Sequence, residues 1–332
     1  MNRIVQIRNG QTRRVAIVEE PRLRLLSGIS SVYEIAKVAL TQNASLLDQI
    51  QRFASTETLD YDAVYAGHSP WQLLAPINHP AEPACCLVSG TGLTHLGSAM
   101  NRQAMHTAVE ADSDSMRMFR WGLEGGRPAP GAIGIAPEWF FKGLGTILRG
   151  PGEPLAVPPY AEDGGEEAEI AGVYLIGDDS RPRRIGMAAG NEFSDHKFEK
   201  RNYLNLAGSK IRPCSLGPEL VIDPDFRIVK GKVAIERAGR IMWAKDIATG
   251  EAEMCHSLSN IEHHHFKFAS HRRPGDVHVH YYGAHSLSFG EGVQLADGDI
   301  MVVEFAGFGR PLRNPLALAK EANLPIIVAP LA

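Results

Sequence analysis

The feature that most constrains this chain is a succession of short β-type runs, CCLVSG, EIAGVYLIG, GKVAIERAG, DVHVHYYG and DIMVVEFAG, each bounded by glycine- or proline-containing turns. Runs of this length, rich in β-branched and aromatic residues, pair into sheets, and convincing long helices between them are few. A mixed β/α fold, mainly β, is therefore predicted. Residues 3–7 and 14–18 alternate apolar with polar around Asn9-Gly10, the signal for a hairpin that opens a small sheet. Residues 30–53 read as one helix, with Val32, Ile35, Ala36, Val38 and Ala39 near helical spacing and Ser30 or Ser31 as its cap. Three prolines between Trp71 and Pro83 interrupt regular structure. They place a boundary near residue 75, between a small α/β unit (1–75) and a mainly β unit (76–332). Residues 100–124 are polar, contain methionine and read as a solvated helix.

Composition closes off several classes of function. With 332 residues and 44% apolar content the chain can bury a continuous core. A net charge of −4 with mixed signs offers no basic face for nucleic acid. Cys85, Cys86, Cys214 and Cys255 match neither a zinc nor a disulfide spacing and read as reduced thiols. No signal-like block and no run of roughly 18 apolar residues is present, which predicts a cytoplasmic protein with no membrane partner.

The residues that carry chemistry start with Glu167 and Glu169, two apart on a β-type run and so on one face of it. Two carboxylates held together repel unless a cation neutralises them, and hard oxygen donors suit Mg²⁺, Mn²⁺ or Ca²⁺ better than zinc. Spacing alone leaves a solvated glutamate pair as the competing reading.

The wider text decides between the two. The segments APEWFFKGLGTILRG, EAEIAGVYLIG, AAGNEFSDHKFE, LAGSKIRPCSLGPEL and GDIMVVEFAGFGRPLRNPL occur in this order over roughly residues 72–316. In this the chain resembles the fumarylacetoacetate hydrolase superfamily, whose members read F-x-K-P, E-x-E-L-A-x-V-I-G, N-D-x-S-A-R-D, a loop lysine, L-G-P, G-D-V and E-I-x-G-x-G. The resemblance implies rolled mixed β-sheets in the second unit, a divalent cation, most simply Mg²⁺, and a homodimer. It implies Glu167 and Glu169 as metal ligands, with Glu192 in place of the family's aspartate and one methylene longer. It implies Lys210 as the loop lysine that contacts substrate oxygens, Asn191 beside the third carboxylate, and Lys142 as the F-x-K-P lysine, although Gly143 replaces the proline.

The same resemblance separates two reactions. Hydrolytic members supply a histidine and a glutamate that activate water; the matching GLTHLGS keeps His95 but has Ser98 at the glutamate position and Thr94 beside the histidine. Another carboxylate, for example Glu110 or Glu124, would then substitute. The loop KRNYLNLAGSKIRPCSLGPEL is similar to that of members that dehydrate 2-keto-3-deoxy sugar acids. A dehydratase of such an acid, a 2-keto-3-deoxypentonate for example, is thus expected, with Lys210 or His95 transferring protons and Thr94, Ser98, Lys142 and Asn191 near the substrate. A hydrolase or decarboxylase of acylpyruvate-like acids, and a non-enzymatic sugar-acid binding protein, are the alternatives. His278, His280 and Tyr282 share one strand face, from which Tyr282 would reach a sugar hydroxyl or simply pack. The run Glu262–His265 invites zinc, but adjacent side chains diverge and a structural role is the simpler reading.

Overall fold

The computed structural model describes residues 2–97, 99–100 and 113–331. Among them, thirteen strands form one sheet and five a second. The larger sheet runs Ala54–Asp60, Arg22–Leu26, Thr12–Glu19, Asn2–Asn9, Leu220–Ile222, Pro182–Asn191, Ala168–Ile176, Val277–Tyr281, Cys86–Gly92 and Glu138–Leu144, with three short strands off this path. The smaller runs Arg240–Thr249, Val229–Arg237, Ile300–Phe305, Leu312–Leu318 and Leu155–Val157. The mainly β architecture expected from the sequence is what the chain adopts. No helix among the described residues is long and apolar enough to cross a membrane.

The opening hairpin forms as its sequence predicts, with Asn9 opposite Thr12 and Gly10 at φ 57°, a backbone angle that glycine adopts without strain. Its first strand continues into the larger sheet by pairing Ile4 with Leu220 and Ile7 with Leu73. Apolar residues on both sides of position 75, including Ile4, Val15, Val32, Ile35, Ala171, Val173 and Val279, pack into one cluster.

The helix expected over 30–53 is two helices, Val32–Thr41 and Leu46–Phe53. Asn43 lies in the left-handed region at φ 48° and breaks the first, and the Ser45 hydroxyl then caps the second by accepting from the Asp48 N–H. Within 100–124 the helix Asp114–Gly125 forms behind its Ser113 cap, and Glu124 on it is exposed; Glu110 lies outside the described residues.

The strand Ala168–Ile176 is the axis of the molecule. All nine of its residues are buried, because one face packs on the cluster around Val173 and Tyr281 and the other on a cluster around Ile170, Val303 and Phe305. A strand covered on both sides reads as a near-continuous apolar run. Charged groups at its end are therefore held in a place that water reaches poorly.

Candidate active site

Three acidic side chains far apart in sequence meet because two strands run antiparallel. Ala168 faces Asn191 across the ladder, so Glu167 and Glu169 at the start of one strand lie beside Glu192 at the end of the other. The Glu192 N–H closes the ladder on the Glu167 carbonyl at 2.9 Å. Asn191 fixes the corner: its side-chain oxygen accepts from the N–H groups of Glu167 and Phe193, each at 3.1 Å. One carboxylate oxygen from each glutamate lies within 4.8 Å of the others, and all three residues are buried. This is the one such grouping of His, Cys, Asp or Glu among the described residues.

Two lysines enter this acidic corner from other directions. Lys210, at the end of the short helix Leu206–Lys210, places Nζ 2.5 Å from both Glu167 Oε1 and Glu192 Oε2. Lys142, on the strand Glu138–Leu144, places Nζ 2.5 Å from Glu192 Oε1 and donates to the carbonyls of Phe193 and Lys210 at 2.7 and 3.0 Å. His196 Nε2 lies 3.1 Å from Glu167 Oε1.

The carboxyl groups titrate differently in these surroundings. Burial alone would raise the Glu167 pKa, but Lys210 and His196 outweigh it and hold the group well below the usual carboxylate range. For Glu169 burial, then the charges of Glu192 and Glu167, outweigh the more distant charge of Lys210 and push it well above that range. Burial raises Glu192 and lowers Lys142, each only partly offset by the other's charge. For Lys210 burial works in the opposite direction, yet Glu167 and Glu192 prevail and keep the ammonium protonated.

The donor set fits a hard divalent cation. Among the described residues Glu167 Oε2 and Glu169 Oε1 accept no hydrogen bond, while Glu169 Oε2 takes only the Gly283 N–H at 2.7 Å. Glu169 is the carboxylate short of a counter-charge, which a cation would supply. The three glutamates are the residues that would hold it.

The remaining residues singled out from the sequence divide. The Thr94 hydroxyl donates to the Tyr282 carbonyl at 2.8 Å and lies 2.8 Å from His95 Nδ1, while His95 Nε2 lies 3.0 Å from the Thr249 hydroxyl. Burial, then His285, pushes the His95 pKa down to about 3. The imidazole is thus neutral and clasped between the Thr94 and Thr249 hydroxyls. Ser98 lies outside the described residues. Tyr282 takes the packed alternative: its ring points to the opposite face of the sheet from Glu169, with its hydroxyl 2.5 Å from that of Tyr174, which donates to Glu262 at 3.0 Å. Gly172 pairs with His280 and Ala171 with Tyr281, so residues 280 and 282 share the face that Glu169 leaves.

Sequence reading missed a second row of groups. On the edge strand Glu138–Leu144, residues 138, 140 and 142 share a face. Lys142 reaches Glu192, the Phe140 ring lies 4.7 Å under Lys210 Nζ, and Glu138 Oε2 accepts from the Tyr203 hydroxyl at 2.8 Å. The neighbouring strand makes room with glycine: a Cβ on Gly92 would sit 1.9 Å from a Glu138 oxygen, and one on Gly90 would sit 2.4 Å from the Phe140 ring. The period-2 polar positions of EWFFK, opposite the glycines of SGTG, were the available signal. His196 stands where the resembled family has the arginine of its S-A-R-D run, and that offset was legible too.

Comparison with known proteins supports the architecture. No family model and no curated protein matches the sequence. Solved structures do match in three dimensions. A 2-keto-3-deoxy-D-arabinonate dehydratase complexed with magnesium and 2,5-dioxopentanoate superposes with a TM-score of 0.71 at 17% identity, over 96% of this chain and 100% of that one. A 5-carboxymethyl-2-hydroxymuconate delta-isomerase from Mycobacterium smegmatis gives 0.59 at 16% identity, over 96% and 100%. A 2-hydroxyhepta-2,4-diene-1,7-dioate isomerase from Mycobacterium marinum gives 0.59 at 16%, over 97% and 100%. The chain has the fold of these enzymes, the fold that its resemblance to the fumarylacetoacetate hydrolase superfamily implied.

Proposed function

We propose that this protein is a metal-dependent hydro-lyase that removes water from a 2-keto-3-deoxy sugar acid, with a 2-keto-3-deoxypentonate as the representative substrate. The observation that carries the reading is the buried trio Glu167, Glu169 and Glu192, converging within 4.8 Å beside a protonated Lys210. A divalent cation held by Glu167, Glu169 and Glu192 would supply Lewis-acid stabilisation for the negative charge that develops on a 2-oxo acid when its C3 proton leaves. The dehydratase whose fold this chain shares was solved with magnesium and a dioxo acid, which supports the same reading.

The chain's own groups then divide the work. Lys210 is held as an ammonium by two carboxylates, so it serves as a donor to substrate oxygen rather than as the base. His95 is neutral with both nitrogens engaged, and its role is to fix the Thr94–Tyr282 turn that carries the Gly283 N–H onto Glu169. Among the described residues Glu138, which accepts from the Tyr203 hydroxyl, takes the C3 proton, and the C4 hydroxyl leaves as water with a proton from Lys210. Lys142 holds Glu192 and the backbone of the lysine loop in register.

Incubation with a panel of 2-keto-3-deoxy aldonic acids and Mg²⁺, followed by mass spectrometry, tests the proposal. Loss of one water, abolished by EDTA and restored by Mg²⁺, is the expected result. Release of a carboxylic acid or CO₂ would instead identify a hydrolase or decarboxylase, and ligand binding without turnover a binding protein.

A further inference from the structure

On the opening hairpin Arg8 faces Arg13 across the two strands, and Gln72 faces Arg8 from the other side. The three side chains therefore form one row on one face of the sheet. Cross-strand neighbours are close enough to interact, and like charges placed opposite each other repel. Neither guanidinium is answered by a carboxylate among the described residues. Arg8 Nε donates to Gln72 Oε1 at 3.2 Å, and Arg13 Nη2 to Asn78 Oδ1 at 2.6 Å, an oxygen that also accepts from Gln6 Nε2 at 3.2 Å. These amide oxygens are neutral and leave both charges standing. Arg13 Nε is buried with no acceptor among the described residues. Burial, then the charge of Arg8, lowers the Arg13 pKa. The fold thus holds two cations side by side against their repulsion.

Clefts open on both sides of this row. Beside Arg8, Tyr65, Trp71, Gln72 and Arg313 line one of about 570 Å³, within the roughly 300–1,000 Å³ of small-molecule sites. Beside Arg13, a smaller one of about 240 Å³ is lined by Asn78 and His79. Glu153 is the one carboxylate lining either cleft among the described residues, and its Oε2 accepts the Gly150 N–H at 2.5 Å. Arg313 is cancelled by Glu236, to which it donates at 3.0 and 2.6 Å. The uncancelled charge is that of Arg8 and Arg13.

We propose that Arg8 and Arg13 bind the phosphoryl group of a small phosphate monoester, whose body lies in the larger cleft against Trp71 and Tyr65. A guanidinium donates through a planar fork that matches two phosphoryl oxygens, and two forks together neutralise a dianion. A lone carboxylate fills only one fork, so the row is not a second seat for a sugar acid. The two rings supply apolar surface for the remainder of the ester. These residues stand on strands other than those that carry the glutamate trio, so the site is separate from the proposed reaction centre.

Calorimetric titration of the full chain in EDTA with inorganic phosphate, ribose 5-phosphate, adenosine 5′-monophosphate and gluconate tests this. At least one ester is expected to bind and to raise the unfolding midpoint. Inorganic phosphate and gluconate should each bind on the order of 10-fold more weakly than that ester. Arg8→Gln and Arg13→Gln should each weaken ester binding on the order of 100-fold. Arg8→Lys keeps the charge but loses the fork and should weaken it about 10-fold. Unliganded Arg8→Gln loses one of two repelling charges at an exposed position, so its midpoint should match or exceed the parent's, which separates lost binding from lost fold. Glu169→Gln should bind the ester as the parent does. A chain that binds neither ester, or binds gluconate or inorganic phosphate as tightly, overturns the proposal. So does binding that survives both arginine substitutions or disappears with Glu169→Gln.

Discussion

The two faces of the sheet around Ala168–Ile176 carry the same sequence pattern and put it to different physical use. On one face Glu167 and Glu169, joined by Glu192, are balanced by the ammonium groups of Lys142 and Lys210, with Glu169 left wanting a cation. On the other face His278, His280 and Tyr282 are held by neutral neighbours, with Nε2 of His278 buried and finding no partner among the described residues. His280 is clasped by the Ser89 and Thr91 hydroxyls at 2.8 and 2.7 Å. Trp139 Nε1–H donates to His265 Nδ1 at 3.2 Å, which leaves the proton on His265 Nε2 to reach His278 Nδ1 at 2.9 Å. Polar residues two apart on a buried strand thus announce a network. Whether it is a reaction centre depends on whether the charges cancel within it.

The sharpest way to break this contrast is Glu169→Gln. The amide keeps the shape and can still accept the Gly283 N–H, but it removes the charge that a cation needs. Turnover should fall by on the order of 10³-fold while the unfolding midpoint stays or rises, since a buried, poorly compensated carboxylate is gone. Calorimetric titration with Mg²⁺ should show lost binding; retained affinity with full turnover would remove the metal from the proposal. Next in size is Lys142→Met, which leaves Glu192 buried with one cation fewer and should cost about 3–5 kcal/mol in urea unfolding.

How much of this was legible beforehand follows from what kind of interaction built each part. The carboxylate trio and Lys210 could be read because they are fixed by order and type along the chain, and the strands then only had to pair. The Tyr282 phenol could not, since its direction depends on a register, Gly172 opposite His280, that one strand's text does not contain. Glu138 was overlooked for a related reason: its meaning comes from the glycines of a neighbouring strand some fifty residues away in sequence. The break at Asn43 was a local signal passed over, a cap serine and a left-handed asparagine inside an apolar period.

Acid should probe the neutral face selectively. Burial, then nearby histidines, lowers His278 and His280 from 6.5 to about 3. The unfolded chain therefore takes up protons first as pH falls. The stability these groups contribute is complete above pH 6.5 and is lost between about 6.5 and about 3. His280→Phe should lower stability at neutral pH by about 1–3 kcal/mol through the stranded Ser89 and Thr91 hydroxyls. It should also flatten the acid slope by about 1.4 kcal/mol per pH unit. Thermal melts of both proteins across pH 4–7 would show parallel lines if His280 is not the group being protonated.

The smallest expected effect discriminates most finely between the faces. Tyr282→Phe deletes one hydroxyl from the chain Tyr282, Tyr174, Glu262 and Arg184, in which Tyr174 retains Glu262 at 3.0 Å and Arg184 lies 2.5 Å from Glu262. Because Tyr174 keeps a partner, the loss should be only about 1 kcal/mol. With the phenol turned away from Glu169, kcat/KM should stay within about twofold of the parent enzyme. A tenfold or larger fall in kcat/KM at unchanged stability would mean that the tyrosine touches substrate after all, and that the division between a reacting face and a structural face has been drawn in the wrong place.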